Sequence, residues 1–176
     1  HDEGPRPDTT LEKLAALKPV FEGGTTTAGN ASQLSDGAAA LVMMDADLAA
    51  RRGLAILGRF RGMALGSVAP EEMSIAITPA VRRLMAKHAI KAGDVDLWEL
   101  HEAYAVTTLY NQRELDTPWE RTNVIGGAIA MGHPYGMSGV RYLGQTLLEL
   151  GRRNATKAVI GVCTAGGMAT AAYLER

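Results

Sequence analysis

The sequence predicts an α/β layered domain, with a mixed sheet of five strands and helices on both faces. Three observations predict it. Stretches of strand-like and helix-like periodicity alternate along the chain. Apolar residues make up 47% of its 176 residues, enough to bury a core. Glycine, proline or a capping residue punctuates most of the changes of period.

The elements follow in order. Residues to about Pro19 are polar and proline-bearing apart from "LEKLAALKP", one short amphipathic turn, and read as an arm or connector over 1–24. "DGAAALVMMD" (36–45) is an apolar run suited to a buried strand or helix, and the alternating order takes it as the first strand. Asp45 caps a helix through "ADLAARRG" that Gly53 stops. "LAILGRFRGMAL" alternates as a strand, and "TPAVRRLMAKHAIKAG" is the clearest helix. There Thr78 is the expected N-cap, Pro79 the first helical residue and Gly93 the stop, with Val81, Leu84, Met85 and His88 sharing a face. "DVDLWELHEAYA" reads as a strand ending near His101, followed by a helix to about Arg113. After a glycine-rich loop Ser138 begins another helix, and "KAVIGVCTAGGMATAAYLE" forms two strands about a glycine turn, the first fully buried. The whole reads as one domain without internal repeats.

Bulk properties narrow the function classes. A formal net charge of −1 supplies no attraction to nucleic acid or to a membrane surface. No apolar run reaches the ~18 residues of a membrane span, and the start does not read as a signal peptide, so a cytoplasmic location is expected. The single cysteine, Cys163, excludes an intramolecular disulfide and a cysteine-rich zinc site. His1, His88, His101 and His133 form no pair at helical metal-binding spacing, so no metal site is expected.

Four stretches bear chemistry. In "GGAIAMGHPYGMSG" (126–139) the glycine spacing fits neither a dinucleotide fingerprint nor a Walker loop, but His133 lies between Gly132 and Pro134 on restrained backbone. It is either a surface loop histidine or a general base that titrates near neutral pH. "WELHEAYA" delivers His101 and Glu102 at a strand end, either as a site at the sheet's carboxyl edge or as a polar terminus whose Glu102 caps a helix. "GVCTAGG" places Cys163 where a buried strand breaks into glycines, as a core residue or beside backbone N–H groups fit for an oxyanion. "TAGNASQLSDG" (27–37) is a loop of small polar residues, a surface turn or a ligand-hugging segment.

Taken together and in this order, "TAGNASQLSDGAAA", "HEAYA", "GGAIAMGHPYGMSG" and "CTAGGMATA" closely resemble the thiolases, from about Pro5 to Arg176. The resemblance implies a thiolase-like half fold, residues 25–176 being the C-terminal domain after the connector at 1–24. It implies acyl exchange between coenzyme A thioesters, by Claisen condensation or thiolysis, with no tightly bound cofactor. His133 matches the histidine that activates a nucleophilic cysteine and helps to form an oxyanion hole, and Cys163 matches the acid/base cysteine. His101 falls where many thiolases carry an asparagine that holds a water. A histidine there occurs in degradative members acting on longer chains, which points to β-oxidation-type substrates. Ser32 matches the serine beside the pantetheine arm, and the backbone at Ala165 serves the second oxyanion hole.

The chain departs from the family pattern in two ways. Cys163-Thr164-Ala165-Gly166-Gly167 replaces Cys-x-Gly-Gly-Gly, and Ala169 replaces another glycine, which bears on rate and substrate range. The larger departure is length. A whole thiolase is about twice as long, and the likeness is to its C-terminal half and the end of its coenzyme A loop region. The nucleophilic cysteine is therefore expected on an N-terminal half, in the same or a separate chain, and this polypeptide alone is expected to be inactive. Three origins stay open: a cut or shortened chain, one subunit of a split enzyme, or a thiolase-like protein that binds acyl-CoA or a partner without catalysis. Retention of the acid/base residues favours descent from an active enzyme. The apolar face the other half would cover predicts association into a homo-oligomer.

Overall fold

The computed structural model describes residues 6–176. The first five residues of the expected connector, His1 included, lie outside the described residues. The elements are α1 (Leu11–Ala15), α2 (Ala46–Arg51), β1 (Arg59–Ser67), α3 (Ile77–His88), β2 (Leu97–Leu100), α4 (Ala105–Leu115), α5 (Ala128–Met131), α6 (Tyr135–Arg153), β3 (Lys157–Thr164) and β4 (Met168–Glu175). The sheet runs β1-β4-β3-β2. β4 is antiparallel to both its neighbours, whereas β3 and β2 are parallel, so the sheet is mixed as expected.

It has four strands among the described residues, not five. Residues 36–45 form neither strand nor helix, and Val42, Met43 and Met44 are exposed. An apolar run becomes a strand only when a neighbour takes its backbone hydrogen bonds, and residues 36–45 have none here. The other strands are present with shifted ends: residues 54–58 precede β1, and an isolated parallel bridge joins Trp98 to Thr122 beyond the β2 edge. β3, expected to be fully buried, is buried over 158–161 and at Cys163 but half-buried at Lys157 and Val162 and exposed at Thr164.

Two layers cover the sheet. α3 lies across β1, β4 and β3, burying Ile77, Ala80, Val81 and Leu84 on one helical stripe against Ala64, Val159, Ala171 and Tyr173. Small residues on the sheet permit the close approach: a Cβ on Gly66 would lie 2.5 Å from the backbone nitrogen of Ala80. On the opposite face α6 buries Tyr142, Thr146 and Leu150, one i+4 row, and packs on β2 and β3. That helix leaves part of its face uncovered, where Met63 and Leu65 of β1 are exposed.

Helix ends test the capping expectations. Asp45 caps α2 by accepting from the Leu48 N–H at 2.9 Å, and Gly53 follows in left-handed backbone (φ +65°). Thr78, expected as the N-cap of α3, is instead inside the helix and buried. Its N–H and hydroxyl both donate to Asn111 Oδ1 of α4 at 2.8 Å, so tertiary contact displaces the local cap. α3 ends at left-handed Ala89 (φ 51°) rather than at Gly93. α6 begins at Tyr135, three residues before Ser138, because Pro134 supplies the entry and Ser138 bonds back to its carbonyl.

Candidate active site

Parallel pairing carries two of the expected residues to one edge. Leu100 is in register with Gly161, and the His101 N–H donates to the Gly161 carbonyl at 2.9 Å. His101 thus leaves the carboxyl end of β2 beside the carboxyl end of β3, where Cys163 stands. A bare Gly161 is required, since a Cβ there would approach Ile77 to 2.5 Å.

His101 is almost wholly buried. Its Nδ1 lies 2.6 Å from the Tyr142 hydroxyl, and its buried Nε2 has no partner among the described residues. Burial first, then the His133 and Arg141 charges, holds its pKa down at about 3, so the ring is neutral. The His133 ring packs against it at 4.1 Å between centroids. His133 Nδ1 is 2.8 Å from Ser138 Oγ, and the Ser138 hydroxyl in turn donates to the Pro134 carbonyl at 2.9 Å. With the serine proton so used, Nδ1–H is the donor to Oγ and Nε2 carries the free lone pair. Burial and then Arg141 lower the His133 pKa from the usual histidine value, which keeps that lone pair available at neutral pH.

The glycine loop is held by a carboxylate. Glu102 Oε2 accepts from the Ile129 N–H at 3.1 Å, and Oε1 accepts from Asn123 Nδ2 at 2.8 Å. Any Cβ on Gly127 would overlap this carboxyl, which explains the second glycine of the loop. Glu102 therefore caps a helix, though the helix is α5 rather than the α4 that follows it in sequence. Asn123, in left-handed backbone (φ 47°), accepts from the Leu100 N–H and donates to the Leu100 carbonyl, at 2.8 and 2.9 Å. It serves as a side-chain strand partner for β2 just before His101. Glu102→Gln keeps the shape but turns a donor towards Ile129 or Asn123. One half-buried donor is then unmet, so the urea midpoint is expected to fall by an amount equivalent to about 1 kcal/mol.

The N-terminal loop docks on the same motifs. The Ser32 N–H and hydroxyl donate to the Ala103 carbonyl at 3.0 and 3.1 Å, and the His133 N–H donates to the Gln33 carbonyl at 3.3 Å. An open cleft of about 390 Å³ follows, lined by Leu34, Ser35, Asp36, His133 and Tyr135. Ser32 is not among those lining residues, whereas Ser35 and Asp36, which the sequence marked only as part of the 27–37 loop, are. Cys163 is buried, and desolvation pushes its thiol up to about 11, so it is protonated at neutral pH. Ala165 lies in the exposed turn between β3 and β4, where Gly166 and Gly167 take positive φ.

The structure thus brings His101, His133 and the Ser32 loop together and sets Cys163 on the neighbouring strand end. Sequence reading missed Tyr142 and Asn123, whose roles depend on partners far along the chain, and took Ser138 only as a helix start. It also missed Glu99, a buried carboxyl on β2 that accepts from Gln145 at 3.0 Å and that desolvation raises to about 7. Among the described residues no three His, Cys, Asp or Glu side chains gather as metal ligands, and no helix is long and apolar enough to cross a membrane.

Layer order, strand topology and the two histidines define an α/β domain with its candidate site at a sheet's carboxyl edge. Residues 54–176 match the family model "Thiolase, C-terminal domain" and residues 1–47 match "Thiolase, N-terminal domain". The chain belongs to the thiolase family. It is 44% identical over 175 residues to a 3-ketoacyl-CoA thiolase of Bacillus subtilis, covering 99% of this chain and 45% of the relative. It superposes on the Bacillus anthracis acetyl-CoA acetyltransferase with a TM-score of 0.94 at 42% identity, and on human mitochondrial 3-ketoacyl-CoA thiolase in complex with CoA with 0.94 at 40%. Each superposition covers 99% of this chain and 44% of the other. The chain therefore spans less than half the length of these relatives.

Proposed function

We propose that this chain is the C-terminal half of a thiolase that exchanges acyl groups between coenzyme A thioesters. The observation that carries the reading is the packed pair of histidines at the carboxyl edge of β2, beside the strand end that bears Cys163. His133, with Nε2 free, takes the proton of a nucleophilic cysteine supplied from outside these 176 residues and then donates to the thioester oxygen. That cysteine accepts the acyl group. Cys163, protonated at rest, delivers its proton to the α-carbon of the leaving acetyl-CoA enolate, or removes one in the condensing direction. His101 supports the enolate oxygen, directly or through water.

The pantetheine arm enters along Ser32 and the cleft beyond it, and the Ala165 backbone N–H meets the second oxyanion. The CoA complex of the human relative supports a CoA thioester as substrate, with no tightly bound cofactor in this reading. The histidine at position 101 favours longer, β-oxidation-type acyl chains. Within this reading the connector is 1–24 and the functional unit 25–176. The exposed Val42, Met43, Met63 and Leu65 meet the N-terminal half, and the assembled enzyme pairs with further copies of itself.

The test is thiolysis of a 3-ketoacyl-CoA, followed by loss of its absorbance, by the chain alone and fused to the N-terminal half of the Bacillus subtilis relative. The chain alone is expected to be inactive and the fusion active. CoA-thioester binding without turnover in any assembled form would instead establish a non-catalytic module.

A further inference from the structure

One hydrogen bond in this site lies outside the roles assigned above. Tyr142, on α6, is fully enclosed, and among the described residues the one partner of its hydroxyl is His101 Nδ1 at 2.6 Å. The Arg141 guanidinium covers the tyrosine ring at 4.5 Å from its centroid, and the His101 ring meets it edge-on at 5.6 Å, so the phenol has little freedom to turn elsewhere. Two proton arrangements satisfy that contact. If His101 Nδ1–H donates to the phenol oxygen, the buried O–H of Tyr142 and the buried lone pair of Nε2 are both left unmet. If the phenol donates to Nδ1, the unmet groups are the Nε2–H, on a ring packed against His133, and the phenol oxygen, a far weaker acceptor than an imidazole nitrogen. Burial is the largest of the influences that raise the Tyr142 pKa above the usual phenol range, so a proton is present to donate.

We infer that Tyr142 is a positioning residue: its phenol donates to His101 Nδ1 and so locks His101 in the Nε2–H tautomer, presenting a single N–H donor beside His133. A histidine can offer either an N–H or a lone pair at a given ring edge, and which it offers is set by the bond at its other nitrogen. Tyr142 removes that ambiguity. An asparagine at position 101 would need no such partner, because its amide N–H₂ is always a donor. The tautomer follows from the hydrogen-bond geometry and the burial of the phenol, whatever reaction the site performs. Its consequence for rate rests on the thioester chemistry proposed above.

The experiment has two arms. Long-range ¹H–¹⁵N correlation spectra of the ¹⁵N-labelled chain, with His101 assigned by loss of its signals in His101→Asn, are expected to show a protonated Nε2 and a bare Nδ1. In Tyr142→Phe the Nδ1–H form should become populated. A protonated Nδ1 in the unsubstituted chain overturns the proposal, whether or not Tyr142→Phe folds, and so does an unchanged pattern in a folded Tyr142→Phe.

The second arm measures thiolysis by the fusion. Tyr142→Phe is expected to lower kcat about tenfold to a hundredfold, with KM within about twofold. In the His101→Asn background the same change should cost no more than about twofold. An equal loss in both backgrounds marks Tyr142 as mere packing and overturns the positioning role. Absence of turnover in every form refutes the proposed function instead, and leaves the spectra to decide the tautomer.

Discussion

His133→Ala in the active fusion lowers kcat for thiolysis by about 1,000-fold or more, the combined loss of a general base and an oxyanion donor. Both roles converge on one ring. Its Nδ1–H is tied to Ser138, whose hydroxyl is itself tied to Pro134, so Nε2 alone faces the chemistry. Alanine removes the base and the donor together, and no described side chain replaces them. His101 cannot substitute, because burial and its neighbours hold it neutral at a pKa of about 3 and its Nδ1 is occupied. The pH profile checks the same assignment. A base whose pKa is lowered stays unprotonated further into acid, so the acid limb of kcat/KM is expected below the usual histidine range. An acid limb at or above that range, or a loss of less than about tenfold in His133→Ala, would sink the assignment.

Trp98→Ala costs about 3–5 kcal/mol of folding stability, a large part of the roughly 5–15 kcal/mol a domain possesses. Trp98 is the largest fully buried side chain and belongs to the cluster under α3 with Val81, Leu84 and Val159. Its carbonyl also accepts from the Asn123 N–H at 2.8 Å, so the cavity opens beside the residue that braces the β2 edge before His101. The indole Nε1 has no partner among the described residues, so Trp98→Phe loses area but no hydrogen bond, and its cost should stay near 1–2 kcal/mol. Urea titration of the three proteins at constant m value reads both numbers. Equal costs for the phenylalanine and alanine variants would show that the site collapses freely and that the cluster is not close-packed.

These two sites differ in how far the sequence exposed them. His133 was legible because its neighbours in the chain, Gly132 and Pro134, already mark restrained backbone, and because the motif around it is contiguous. Trp98 was legible only as part of a strand. Its place under α3 depends on the parallel pairing of β2 with β3, elements separated by some sixty residues.

Where local chemistry governs, reading and structure agree. Asp45 and Gly53 bound α2, the apolar run from Ala158 to Gly161 is buried, and glycines turn β3 into β4, each decided within a few residues. Where a distant partner competes, they part. Asn111 takes the N–H and hydroxyl of Thr78 and overrides its cap, and Glu102 reaches across to start α5. Residues 36–45 lack any partner strand among the described residues and stay unpaired. By itself, then, the sequence determined the α/β class, the family and the three residues on which chemistry is proposed, because propensity, period and contiguous motif are local. Only the tertiary structure decided the strand count, the burial that keeps His101 neutral and the phenol on its Nδ1. Each of these depends on desolvation or on a hydrogen bond between residues that meet only after the chain has folded.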